Sequence, residues 1–404
     1  MKLAIVHDWL KNISGAERVL IELHKIFPEA PIYTLFYNKR FIQKWLPNAD
    51  IRASFLQKIP LIARVYSLFA FLMPTAIESF DLSDFDTVLS SSVIFSKGLI
   101  LKPSTKHICY CYSPTRFLWD RNFSDQSRRF GRLPDSLTSG FSIFNFQWPR
   151  KIFKHFLRLW DRAAADRVDQ FVAISKTVQD RIKKYYRRES IIIYPPASFL
   201  TPDSTDNRSA PAADRHLDSR RFTKRQAEPP ARLLAGSQKL RLNDYYLIVA
   251  RLHSYKNIDI AIKAFNKLNY PLVIIGDGPD KKRLERLANK NITFLGEQDD
   301  STLIEYYRAC RAFIMPQEED FGLTPIEAMS FGKPVVALCK GGALETIVES
   351  QTGEFFDDPI PEALADAIRR LNENYTGYNP KTIKARASIF DVEKFKEAII
   401  KLVT

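Results

Sequence analysis

The run Pro316-Gln317-Glu318-Glu319-Asp320-Phe321-Gly322-Leu323-Thr324-Pro325-Ile326-Glu327-Ala328-Met329 carries the densest chemistry in the chain. It follows an apolar strand pattern and leads into a helical one. Thr324 is suited to cap that helix, Pro325 to occupy its first position and Glu327 to complete a capping box. Free amides and the positive end of the dipole at such a start suit a diphosphate, which makes the turn Phe321-Gly322-Leu323-Thr324 a candidate anion contact. Glu319 lies in the loop before it, where a carboxylate can accept hydrogen bonds from vicinal hydroxyls. Ser14-Gly15-Ala16-Glu17 reads as a second capping box, in which Gly15 would let a phosphate approach the backbone closely. Taken alone it is equally an ordinary helix cap, and Gly276-Asp277-Gly278-Pro279 alone is only a turn after a strand. Asp84-Phe85-Asp86 has the Asp-x-Asp spacing of a metal site but precedes its strand, whereas a nucleotide-facing metal motif should follow one. No metal and no cofactor are expected.

These residues need a scaffold at the ends of strands. Leu3 to Val6 reads as a buried strand, followed by a loop and a helix with Val19, Leu20, Leu23 and Ile26 at helical spacing. Strand patterns at Thr87 to Leu89, His107 to Tyr110 and Gln170 to Ile174 alternate with helical stretches, which implies a parallel sheet. A second series has strands at Tyr246 to Val249, Leu272 to Ile275, Ile292 to Leu295, Ala312 to Met315 and Val335 to Leu338. A length of 404 residues fits two domains. The fold class is α/β, with two Rossmann-like parallel-sheet domains facing a cleft that would hold the active site. The expected divisions are a Rossmann-like domain over 1–198, an insert over 199–242, a second Rossmann-like domain over 243–388, and a helix over 389–404. The insert is rich in Asp, Ser, Arg, Pro and Ala, includes Arg220, Arg221, Lys224 and Arg225, and has the composition of a basic, disordered segment.

The spacing Glu319-x7-Glu327 with Phe321-Gly322 between resembles the paired-glutamate motif of the retaining family-4 glycosyltransferases of the GT-B class. Ser14-Gly15-Ala16-Glu17, Ala173-Ile174-Ser175, Ile193-Tyr194-Pro195-Pro196, Arg251 with Lys256, and Gly276-Asp277-Gly278-Pro279 follow in the family's order, so the resemblance covers nearly the whole chain. Tyr110 to Asp120 and Gly341-Gly342-Ala343-Leu344-Glu345-Thr346 are most similar to bacterial mannosyltransferases of O-antigen and exopolysaccharide assembly, whose donor is typically GDP-mannose. The resemblance implies that Glu319 contacts donor-sugar hydroxyls, that Glu327 contacts the ribose and that Arg251 and Lys256 face the diphosphate. It puts Gly15, Gly276 and Gly278 at the donor as well, and it implies that 1–198 is the acceptor domain, that 243–388 is the nucleotide-sugar domain and that the helix over 389–404 packs back on the first domain. Physics agrees, because cations and helix amides aimed at a departing diphosphate lower the barrier to transfer. Arg251 can fork onto phosphate and Lys256 can act as a point charge. The chain departs from the family at Tyr112, where a histidine usually lines the sugar pocket; a phenol can still hydrogen-bond a sugar hydroxyl but does not titrate near neutrality.

Lys and Arg outnumber Asp and Glu, 60 to 46, for a net charge of +14, which favours anionic partners. Basic and aromatic residues mix at Phe55, Lys58, Arg64, Tyr66 and Phe71, and again at Arg128, Arg129, Phe130, Arg132, Trp148, Arg150 and Lys151. Such a surface suits anionic lipid headgroups and a lipid-linked or glycan acceptor, or else it is a partly buried helix with solvated charges. No nucleic-acid module signature appears. The four cysteines form no disulfide framework, the amino terminus runs straight into a strand without a signal-peptide pattern, and the apolar stretch Ile59 to Ile77 is broken by Pro60, Arg64 and Pro74. A cytoplasmic enzyme peripheral to the inner face of the plasma membrane is expected. The competing reading is a catalytically impaired GT-B scaffold, altered at Tyr112, that binds nucleotide sugar or tethers polysaccharide enzymes.

Overall fold

The structure is a computed structural model and describes residues 1–120, 147–197 and 244–404. The expected insert over 199–242 and the cluster Arg128, Arg129, Phe130 and Arg132 lie outside the described residues, as do the side chains of Trp148, Arg150 and Lys151. Contacts divide the chain into two units, Met1–Pro196 with Val392–Thr404, and Ala197–Asp391.

The first unit is built on a seven-stranded sheet in the order β3-β2-β1-β4-β5-β6-β7. Its strands are β1 (Leu3–His7), β2 (Ile32–Thr34), β3 (Ile51–Ala53), β4 (Thr87–Ser92), β5 (Lys106–Cys111), β6 (Gln170–Ala173) and β7 (Ser190–Ile192). Every pairing is parallel. All five residues of β1 and all six of β4 are buried, the signature of a sheet covered on both faces. The chain runs outward from β1 to β3 and then returns to β4 on the other side of β1, so the strand order reverses between β1 and β4. The final helix, Val392–Val403, belongs to this unit: Phe395, Ile399 and Val403 are buried along one stripe, and the Phe395 ring meets Tyr110 edge-on at 5.8 Å.

The second unit has a six-stranded parallel sheet in the order β10-β9-β8-β11-β12-β13. Its strands are β8 (Tyr246–Val249), β9 (Leu272–Ile275), β10 (Ile292–Gly296), β11 (Ala312–Met315), β12 (Val335–Leu338) and β13 (Gly353–Phe356). Here the reversal falls between β8 and β11. Four strands escape a reading by periodicity. Three of them, β2, β3 and β7, are only three residues long, and β13 opens on a glycine. The apolar stretch around Ile59 to Ile77 folds into short helical turns, ending in Tyr66–Leu72 and Met73–Glu78. Among the described residues no helix is long and apolar enough to cross a membrane.

Candidate active site

Open α/β sheets bind ligands beyond the carboxyl ends of their strands, where the strand order reverses. In the second unit the charged candidates leave those two strands. Arg251 stands two residues past the end of β8 and is exposed; Glu319 stands four residues past the end of β11. Lys256 closes the short turn Ser254–Lys256, and its Nζ bonds Glu319 Oε1. The two side chains are 14% and 24% exposed, so the pair is sheltered yet reachable. Gln317, itself buried, donates Nε2 to the same carboxylate oxygen at 2.9 Å. Asn257 takes a left-handed φ of 53° and donates to the Pro316 carbonyl at 3.3 Å, tying the lysine turn to the exit of β11. Burial by itself would pull the Lys256 ammonium below its ordinary range, but the Glu319 charge beside it raises it. The lysine is a cation at neutral pH, and Glu319 holds it.

Four glycines explain how these loops come so close. Gly276 has φ +134°, and a Cβ there would stand 2.0 Å from the Ala250 carbonyl oxygen; one on Gly278 would stand 2.5 Å from that of Leu252. The amide of Leu252 donates to Asp277 O at 2.9 Å and that of Asp280 to Leu252 O at 3.0 Å. Gly276 and Gly278 are therefore packed under the Arg251 loop and hold it in place. Gly341 and Gly342 do the same for Glu319: the Gly342 amide donates to Glu319 O at 2.9 Å, and a Cβ on Gly342 would lie 2.3 Å from Phe321 Cα.

The helix after Glu319 begins earlier than its sequence indicates. It spans Leu323–Ser330 and is capped by Gly322 at φ 90°, with no side-chain cap. Thr324 is therefore its second residue and Pro325 its third, and Glu327 cannot close a capping box. The physical reason is the glycine, which turns the chain into the helix from a conformation that side-chain-bearing residues avoid. Pro325 is tolerated because an amide in the first turn has no intrahelical acceptor to lose. Leu323 and Thr324 keep such amides. Glu327 is buried, and Tyr307 donates its hydroxyl to Glu327 Oε2 at 2.8 Å. The Phe321 side chain is also buried, with its ring edge-on to Phe390 at 5.4 Å, so this residue can offer a ligand only its backbone.

In the first unit the helix α1 (Gly15–Ile26) starts at Ser14, and Gly15 is exposed at its tip. Its capping box is not formed: the Ser14 hydroxyl donates to the Glu17 carboxylate rather than accepting from an amide. Glu17 is drawn instead toward His7, whose Nε2 stands 3.8 Å from Glu17 Oε1. Burial opposes ionisation of Glu17, but the imidazole and Ser14 outweigh it and hold the carboxyl below its ordinary value. Tyr112, just past β5, donates its hydroxyl to Ala16 O at 3.0 Å and meets Ser91 Oγ at 2.9 Å. Burial pushes its phenol far above the usual range, against the Ser91 hydrogen bond. The one hydrogen of Tyr112 is thus spent on the first turn of α1. Asp86 accepts from the Lys2 amide at 2.8 Å and serves the fold.

His7, Ser91, Gln317 and Tyr307 were not legible as site residues. The available signal for Gln317 was its place two residues before Glu319 in an extended segment, and for His7 its position as the polar end of an apolar strand.

Residues 237–388 match the family of glycosyl transferases group 1. An uncharacterized glycosyltransferase of Methanocaldococcus jannaschii, MJ1178, is 29% identical over 32% of the chain and 39% of its own length, so the chain spans well under half of that relative. The alpha-1,3/1,6-mannosyltransferase ALG2 of Dictyostelium discoideum is 21% identical over 98% of the chain and 95% of its own length. Among solved structures, Anabaena Alr3699/HepE in complex with UDP superposes over 100% of this chain and 99% of its own with a TM-score of 0.65 at 18% identity. The fold is that of two Rossmann-like domains of the GT-B class.

Proposed function

We propose that this chain, with a glycosyl transferases group 1 region on a GT-B fold, is a glycosyltransferase that uses a nucleoside diphosphate sugar as donor. The observation that carries the reading is the Lys256–Glu319 pair beside exposed Arg251, set at the strand reversal and next to a glycine-capped helix start. A diphosphate needs cations and free amides, and a hexose needs a carboxylate acceptor for its hydroxyls; the Arg251–Lys256 loop and the Glu319 loop with its helix start offer these groups. Arg251, Lys256 and the amides of Gly322, Leu323 and Thr324 stabilise charge on the oxygen leaving the anomeric carbon. Glu319 orients the hexose and Glu327 the ribose.

The finer reading is transfer of mannose from GDP-mannose, with retention, to a lipid-linked or glycan acceptor. Its support is the sequence resemblance together with the mannosyltransferase activity named for ALG2; the UDP named for HepE keeps uridine donors in the screen. A peripheral membrane setting is supported by exposed apolar residues on the first unit: Leu61 and Phe71 in the helical turns, and Ile152, Phe156 and Leu159 on the helix Gln147–Asp166. Thermal-shift and donor-hydrolysis assays across GDP- and UDP-sugars test the proposal. A GDP-mannose preference with slow hydrolysis supports it, and no stabilisation by any nucleotide sugar overturns it.

A further inference from the structure

Gln317 sits in the segment between β11 and the site helix, and no step of the proposed mechanism uses it. Its side chain is buried, only 3% exposed. A carboxylate only accepts, so the end of the amide that meets Glu319 Oε1 at 2.9 Å is the NH2, which fixes the orientation of the group. The other end, Oε1, is then buried without a hydrogen-bond partner among the described residues. An orphaned buried acceptor costs stability on the scale that the donated hydrogen bond contributes. The fold therefore gains little from this amide that an apolar side chain of the same length would not give. What remains is its hold on Glu319.

That hold matters because the other holder of the carboxylate is contested. Lys256 Nζ bonds the same oxygen, Glu319 Oε1, and in the proposed reaction it also faces the diphosphate of the donor. A diphosphate ester carries about two negative charges against the one of a carboxylate, so its arrival draws the ammonium away from Glu319. With no second holder, Glu319 would be released just as the hexose reaches it. A neutral amide is not drawn by phosphate. The segment that carries Gln317 is also fastened on both sides, since Pro316 O accepts from Asn257 at 3.3 Å and Glu319 O from the Gly342 amide at 2.9 Å.

We propose that Gln317 is a positioning residue of the donor site: its amide keeps the Glu319 carboxylate in place for the hexose while Lys256 passes from that carboxylate to the diphosphate. It acts through Glu319 and touches no substrate atom. This inference deepens the glycosyl-transfer reading and rests on it.

The test compares the full-length parent with Gln317→Met and Gln317→Leu by titration with GDP-mannose and with free GDP, or with UDP-glucose and UDP where the donor screen selects them. Unfolding should stay cooperative with a midpoint close to the parental one or above it, because the orphaned acceptor is gone. GDP, which lacks the hexose, should bind within about twofold of the parent. GDP-mannose should bind about five- to tenfold more weakly, the scale of one hydrogen bond, and in donor hydrolysis its KM should rise by that factor with kcat within about twofold. In a Glu319→Gln background, Gln317→Met should add less than about twofold, since both changes act on one contact. Parental affinity and KM in a folded variant overturn this inference alone. So do equal losses for GDP and GDP-mannose, an effect that adds in full to that of Glu319→Gln, and failure of both variants to fold, each of which assigns the amide to the structure of the loop. A parent that binds no nucleotide sugar sinks the glycosyl-transfer reading first, and this inference with it.

Discussion

Lys256 has two tasks in the proposed mechanism, holding Glu319 and facing the diphosphate, and a double-variant cycle separates them. Lys256→Met keeps most of the volume of the stem and removes the charge. The Lys256 side chain is 14% exposed and is bonded to a Glu319 side chain that is 24% exposed, so the change strands Glu319 in a sheltered loop. Stranding a fully buried partner costs about 3–5 kcal/mol, and partial exposure brings the expected loss to about 1–2 kcal/mol. Adding Glu319→Gln removes the stranded charge and should return most of that stability. Affinity for a free nucleoside diphosphate, GDP or UDP, which lacks the hexose, should behave differently. Losing one charge-assisted contact is worth about 1.5–3 kcal/mol, or roughly ten- to a hundredfold in Kd, and Glu319→Gln should not restore it. Glu319→Gln alone should leave this affinity within about twofold while weakening binding of the intact donor. Chemical denaturation and isothermal titration on the four proteins complete the cycle. If affinity and stability recover together in the double variant, Lys256 only holds Glu319 and the diphosphate assignment is wrong.

Gly342→Ala would force its Cβ onto the Phe321 backbone, 2.3 Å from Cα; the Glu319 loop must yield by about 1 Å, and donor hydrolysis should fall by about a hundredfold in a protein that still unfolds cooperatively, whereas parental kcat/KM would show that Glu319 is not positioned by this contact. Glu327→Gln should leave the helix start unchanged, because Gly322 caps it, but lower donor affinity roughly tenfold or more; titration calorimetry finding parental affinity would remove the ribose assignment. Activity should persist in excess EDTA, and abolition with rescue by magnesium or manganese would replace Arg251 and Lys256 as the neutralising charges. Glu17 has a folded pKa below its ordinary value of 4.5, so its stabilisation is complete above about that pH and lost as pH falls through the folded value. Glu17→Gln should flatten the acid limb of stability against pH, and an unaltered limb in denaturant titrations would show that this pairing adds nothing to folding.

The long buried strands and the paired glutamates were open to direct reading. Strands β8, β9, β11 and β12 announce themselves as four-residue apolar runs because a parallel sheet buries both faces of each strand. Arg251 and Lys256 were marked by the family resemblance and Glu319 by the paired-glutamate spacing, and their places just past such runs agree with it, because charged residues there lie at the carboxyl edge of the sheet. What lay beyond reach depends on contacts between residues far apart in the chain. Whether Thr324 or Gly322 caps the site helix turns on a backbone angle that Gly322 permits but its letter does not require. The packing of Gly276 against Ala250, and of Gly342 against Phe321, follows from how neighbouring loops meet at the end of a sheet. His7 shows the difference most fully. In the sequence it is a lone histidine ending a strand, 84 residues from Ser91, and only the parallel register of β1 with β4 brings the two together. Short-range patterns record which faces are buried, whereas hydrogen-bond partners are chosen by sheet order and register, which are collective properties of the folded chain.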